Sequence, residues 1–239
     1  GGRTGVGAGP PGSGVGPVRR LTAVLVFLAV LGSLIGAPAA PATPLPRVAV
    51  IGDSYTTGTD MGGLGAANWA TLSWQMLSRQ GLPVAADVAA EGRAGYGVRG
   101  DHGSLFGDLT ARAVRPDDAL VVFFGSRNDQ PVDPQTLAYQ AADAFALARR
   151  TAPNARLLVI GPPWPTADVP PVVLQIRDVL NMTARAAGAT FVDPLTARWF
   201  FDEPAFIGVD QVHPTDAGHA YLAGLIAPLI AAQLTTRSV

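Results

Sequence analysis

The chain has 239 residues, 48 % of them hydrophobic and 15 % charged, with a net charge of −1. That length suits one large domain, and that composition excludes a disordered chain and gives no electrostatic reason to expect a nucleic-acid partner. The absence of Cys and of Lys excludes disulfides, thiolate nucleophiles, Cys-held zinc, Schiff-base lysines and Walker A loops, so imidazole chemistry has only His102, His213 and His219 to use.

Residues 1–17 are rich in Gly and Pro and read as a disordered lead-in. Arg19 and Arg20 follow, then an uncharged apolar run over Leu21–Ala37, then small residues over Pro38–Ala42. A basic start, an apolar middle and an A-x-A site describe a secretory signal. The run is shorter than the ~20 residues a spanning helix prefers. The expectation is export with cleavage near Ala40 or Ala42, or retention of 1–42 as an N-terminal anchor. Either way the protein is expected to be secreted or in the cell envelope, and 43–239 to form one domain. Without the leader, 14 basic residues face 18 acidic ones.

In the body, short apolar runs alternate with helical patterns. Arg47–Ile51 reads as a first strand, Trp69–Gln80 as a helix stopped by Gly81, and Pro83–Ala90 as a second strand. Ala119–Phe124 reads as a third strand, Pro134–Arg150 as a helix and Arg156–Ile160 as a fourth strand. Val172–Ala187 is a helix stopped by Gly188, Thr190–Val192 a short fifth strand, and Thr215–Leu234 a final helix with Pro214 near its first turn. Strands that are apolar throughout are buried on both faces. The fold class is therefore α/β, a three-layer α/β/α arrangement around a mostly parallel five-stranded sheet.

Ligands of such sheets bind beyond the carboxyl ends of the strands. Gly52-Asp53-Ser54-Tyr55 follows the first strand, and Glu91-Gly92-Arg93-Ala94-Gly95-Tyr96-Gly97 the second. Gly125-Ser126-Arg127-Asn128-Asp129 follows the third, and Asp210-Gln211-Val212-His213-Pro214 lies past the fifth. These are the parts an acyl-transfer site needs. A Ser hydroxyl attacks once a base takes its proton, and a carboxylate fixes the tautomer of a His base. Fixed N–H donors must meet the developing oxyanion. A helix starting at Ser54 would aim its N–H groups and dipole at the same oxygen.

With these residues the chain resembles the SGNH/GDSL hydrolases. Gly52-Asp53-Ser54-Tyr55 is similar to block I, with Tyr in place of Leu. Gly95 matches the block II glycine, with Gly92 and Gly97 as alternatives. Asn128 matches block III, and Asp210-x-x-His213-Pro214 matches block V. Two positions depart from the pattern: Ala90 stands where block II has Asn, and Arg127 where block III has Thr. The resemblance implies a flavodoxin-like fold and a serine esterase or lipase. It gives Ser54 as nucleophile, His213 as base, Asp210 as its orienting acid, and Ser54, Gly95 and Asn128 as oxyanion donors. Tyr55, Arg127 and Trp164 are candidate substrate contacts. No cofactor and no metal is expected.

Each residue also has a plainer reading. Ser54 suits a helix N-cap, and Asn128 a turn. Asp216 and His219 repeat the D-x-x-H spacing, but inside a helix, where such a pair is a local contact. His102 reads as a loop residue and Asp53 as a structural bond in the block I turn. Trp69, Trp74 and Trp199 read as core or rim, and Trp164 divides evenly between loop packing and substrate contact. The four-glycine stretch Thr56–Asn68 suits a mobile lid. The expected substrates are small-molecule, lipid or glycan esters, with membrane or cell-wall association open and oligomeric state unread. The rival functions are an acyltransferase or deacetylase of envelope glycans or lipids using the same site, and a non-catalytic envelope-binding protein.

Overall fold

The computed structural model describes residues 43–236, so the expected signal segment lies outside the described residues. Five strands form the sheet: β1 Arg47–Gly52, β2 Ala85–Ala90, β3 Asp118–Phe124, β4 Arg156–Ile160 and β5 Thr190–Val192. They are parallel throughout, in the order β2-β1-β3-β4-β5. That is the flavodoxin order, with its topological switch point between β1 and β3.

The sequence alternation decides the layers, because successive strand residues face opposite sides of a sheet. Ala49 and Ile51 of β1, Val121 and Phe123 of β3, and Leu157 and Val159 of β4 pack on one face. Covering them are α3 (Phe106–Ala113), α4 (Pro134–Thr151) and α5 (Pro171–Ala186). Val48, Val50, Leu120, Val122, Phe124, Leu158 and Ile160 occupy the other face. There they meet α2 (Trp69–Arg79) and α6 (Asp216–Thr235), through Trp69, Leu77, Leu222, Ile226 and Ile230. With both faces covered, nearly every residue of β1, β3 and β4 is buried.

Two expectations change. Helix α3 has no counterpart in the strand-and-helix reading, although Phe106, Leu109, Thr110 and Ala113 bury one face at helical spacing. The helix at Ser54 is only α1, a single turn over Ser54–Thr57. One turn sums few peptide dipoles, so donors at this junction act as individual N–H groups.

Candidate active site

The site is built at the switch point. Asp53, not Ser54, caps the one-turn helix: its Oδ1 accepts the Tyr55 N–H at 2.9 Å. The Ser54 hydroxyl is therefore free of capping duty. It lies 2.9 Å from His213 Nε2, and His213 Nδ1 lies 2.6 Å from Asp210 Oδ2. The other Asp210 oxygen accepts the N–H groups of Val212 and His213 at 2.9 and 3.0 Å. Partial burial alone would raise the Asp210 carboxyl. The His213 N–H, the imidazole and the Val212 N–H outweigh burial and hold it below the ordinary carboxylate range. An ionised Asp210 accepting from Nδ1–H leaves Nε2 unprotonated and facing the Ser54 hydroxyl.

The donor side differs from expectation at one residue. The Gly95 N–H donates to the Val98 carbonyl at 2.8 Å, inside a tight turn, so it is already used. The N–H groups of Ser54 and Gly92 make no hydrogen bond among the described residues. Asn128 sits beside the Ser54 turn, its side-chain amide donating to Ala94 O at 2.9 Å and reaching Asp53 Oδ2 at 3.4 Å.

Asp129, named in the sequence only as part of a strand-end segment and given no role there, holds this loop. Fully buried, its carboxylate accepts the N–H groups of Tyr96, Gly97 and Val98 at 2.9, 2.8 and 3.1 Å. Burial pushes its pKa to about 6, against the pull of those three amides. Burial likewise lifts neighbouring Asp53 to about 7. Glu91 is a second unforeseen anchor: its Oε1 accepts the N–H groups of His102 and Ser104 at 2.6 and 3.1 Å. A buried carboxylate facing several main-chain amides has no local sequence signature, although the Asn-Asp pair drew attention to the neighbouring Asn.

A cleft of about 510 Å³ opens at Ser54 and His213, walled by Thr57, Thr59, Ala90, Gly92, Arg93 and His102 among others. Tyr55 is not among its walls. Its side chain is 1 % exposed and packs edge-on against Phe124 and Phe200, so its assignment as a substrate contact is corrected to a core residue. Arg127 and Trp164 are brought together, the guanidinium 4.0 Å above the indole ring, and neither forms the cleft wall.

The expected lid is tied down. Asn68 donates to Thr56 O and Gly63 O at 2.8 and 2.9 Å, and Gly63 N–H donates to Asp216 at 2.8 Å. Gly63 has φ +78°, and a Cβ there would stand 2.0 Å from His219 Nε2, so the loop approaches α6 as closely as only Gly allows. His219 itself is buried and accepts the Trp69 N–H on Nδ1 at 3.2 Å, a structural use of the second D-x-x-H pair.

A model of the GDSL-like lipase/acylhydrolase family matches residues 50–221, from β1 through the His213 loop into α6. The chain belongs to that family. GDSL-like acylhydrolases are ester hydrolases, and this chain is one. It is 61 % identical over 227 residues to the GDSL lipase Rv0518 of Mycobacterium tuberculosis (strain ATCC 25618 / H37Rv), covering 90 % of this chain and 98 % of that one. Its fold is similar to the lipase/acylhydrolase from Enterococcus faecalis, with a TM-score of 0.61 at 16 % identity over 82 % of this chain and 100 % of the other. It is also similar to a family two carbohydrate esterase from Clostridium thermocellum, with a TM-score of 0.64 at 18 % identity over 82 % and 66 % of the two chains.

Within this GDSL-like frame the two departures acquire settings. Ala90 ends β2 and lines the cleft, where the shorter side chain leaves space. Arg127 begins the turn that carries Asn128 and Asp129, and turns its guanidinium onto Trp164.

Proposed function

We propose that this chain is a serine hydrolase that cleaves carboxylic esters through an acyl-enzyme on Ser54. The observation that carries this reading is the unbroken relay Ser54 Oγ, His213, Asp210, with separations of 2.9 and 2.6 Å. His213 Nε2 takes the Ser54 proton as Oγ attacks the ester carbonyl, and Asp210 stabilises the imidazolium that forms. The carbonyl oxygen gains the negative charge. The donors for it are the Ser54 N–H, the Gly92 N–H at the cleft wall, and the Asn128 amide, which gives up its long contact to Asp53. Collapse expels the alcohol, which leaves with the proton from His213. Water then enters, gives a proton to His213 and attacks the acyl carbon. Collapse releases the carboxylic acid and returns the proton to Ser54.

The test is turnover of p-nitrophenyl esters from acetate to palmitate by the purified chain and by Ser54→Ala and His213→Ala. Mass spectrometry of a phosphonate adduct locates the modified residue. The expected result is loss of at least ~10³ in kcat in both variants and a single adduct on Ser54. Full activity in Ser54→Ala would overturn the mechanism.

A further inference from the structure

The geometry points to a binding groove that leaves the Ser54 cleft, runs along the edge of the sheet past Trp74, and receives the saccharide part of a sugar ester. This rests on the reading of Ser54 as the nucleophile. Thr57 and Ala90 wall the catalytic cleft and also wall a second depression of about 330 Å³ that includes Thr71, Trp74 and Val88. Thr71 and Trp74 in turn wall a third, of about 510 Å³, with Gln75, Ser78 and Arg79. The three hollows therefore meet in sequence, through shared walls, from the nucleophile to the far end of α2.

The fold explains why this surface is open. Strand β2 is the sheet edge, and Val88 on it is 46 % exposed. Thr71, Trp74, Gln75 and Ser78 are spaced i, i+3, i+4 and i+7, which places them on one stripe of α2. The opposite stripe, Trp69, Ala70, Ser73 and Leu77, is buried. Trp69 and Trp199 lie in the core, whereas Trp74 is only half-buried and lines the groove. The side chains of Thr71, Gln75 and Ser78 make no hydrogen bond among the described residues, so their donors and acceptors are available.

The lining selects the ligand. An alkyl chain is best held by an unbroken apolar wall. Here the Trp74 indole is set among two hydroxyls, a carboxamide and a guanidinium. A sugar ring has the complementary surface, an apolar C–H face for the indole and hydroxyls for the polar groups around it. The ester carbonyl would sit at Ser54, with the remote sugar units in the groove.

The test compares kcat/KM on p-nitrophenyl acetate, p-nitrophenyl palmitate, an acetylated monosaccharide, and partially O-acetylated cellopentaose and xylopentaose. In the unmodified protein, at least one pentasaccharide is expected to exceed the monosaccharide by about tenfold. Trp74→Ala should abolish that gain, chiefly through KM, and leave p-nitrophenyl acetate turnover within about twofold. Trp74→Phe should restore part of the gain, and because Trp74 also packs on the core, a cooperative unfolding transition well above the assay temperature in both variants is the control that excludes misfolding. Absence of any gain with chain length, or a gain that survives Trp74→Ala, overturns the proposal. Selective loss of palmitate turnover in Trp74→Ala also overturns it, and reassigns the groove to an acyl chain. Activity persisting in Ser54→Ala would instead defeat the nucleophile assignment, a distinct failure.

Discussion

The Tyr55 hydroxyl donates a 2.5 Å hydrogen bond to the Val212 carbonyl, tying the residue after Ser54 to the residue before His213. Ser54 and His213 are thus spaced by a second link, outside their own hydrogen bond. The Tyr55 ring is fixed by Phe124 and Phe200, and burial raises its hydroxyl pKa further above the physiological range, so the bond keeps its proton.

Tyr55→Phe keeps the ring and removes the tie. The half-buried Val212 carbonyl loses its donor, which costs on the order of 1 kcal/mol of stability. With His213 less tightly positioned, kcat on p-nitrophenyl acetate should fall by about 3- to 30-fold with little change in KM. An unchanged kcat would show that Asp210 alone suffices to hold the base.

Asp210→Asn should preserve the loop and reverse the polarity at Nδ1. The carboxamide still accepts the Val212 and His213 N–H groups on one atom, but it cannot stabilise an imidazolium. A fall in kcat of at least ~10² is expected, with a smaller effect on stability. Asn128→Ala should cost ~10²–10³ in kcat through loss of an oxyanion donor. Single-turnover kinetics should place both losses in acylation and deacylation. A variant changed only in KM would contradict the assigned role.

The two raised carboxyls predict a pH dependence. Asp129 and Asp53 are lifted by burial to about 6 and about 7, so the folded chain holds protons that the unfolded chain releases. Their contribution to stability is complete below the ordinary value of 3.8 and is lost as pH rises through 6 and 7. Asp129→Asn removes one of these groups. Between pH 5 and 8, urea midpoints should shift in the variant's favour relative to the unmodified protein as pH rises. Amide exchange at Tyr96, Gly97 and Val98 should quicken in the variant, because a carboxamide cannot accept from all three. A relative shift in the opposite direction would mean that the amides, not burial, dominate at Asp129.

His219 carries the opposite sign. An unfolded histidine takes up a proton below about 6.5, whereas burial keeps the folded His219 neutral down to about 4. Its contribution is full above 6.5 and is lost as pH falls toward 4. His219→Asn places an amide oxygen near the position of Nδ1, where it can still accept from Trp69, and it does not titrate. The drop in urea midpoint from pH 7.5 to 4.5 should be smaller in this variant. Equal drops in both proteins would remove His219 from the acid transition.

Most of the fold was legible, because strand runs such as Leu120–Phe124 and Leu157–Ile160 are apolar on both faces and need no tertiary information to read. Helix α3 was obscured because Gly103 and Gly107 interrupt the segment around its buried stripe. Ser54, Asp210 and His213 could be named because their spacing and strand-end positions are local features. What the sequence did not disclose depends on direction and closure. The one-turn helix α1 points Tyr55 inward, a matter of a few dihedral angles. Gly95 lost its free amide to a turn closed by Val98, and Asp129 gained its three partners from a loop some thirty residues earlier.

Ser54 and His213 are 159 positions apart along the chain. No fragment that stops before the His213 loop contains both, and no partly folded chain joins them until the first strand and that loop have found each other. Closing so long a loop is among the entropically costlier steps of assembly. Ester turnover therefore serves as a clock for completion: on refolding, activity should return after helical structure has formed, in step with the slowest phase. A chain still being synthesised is chemically inert until that final loop has closed onto the first strand.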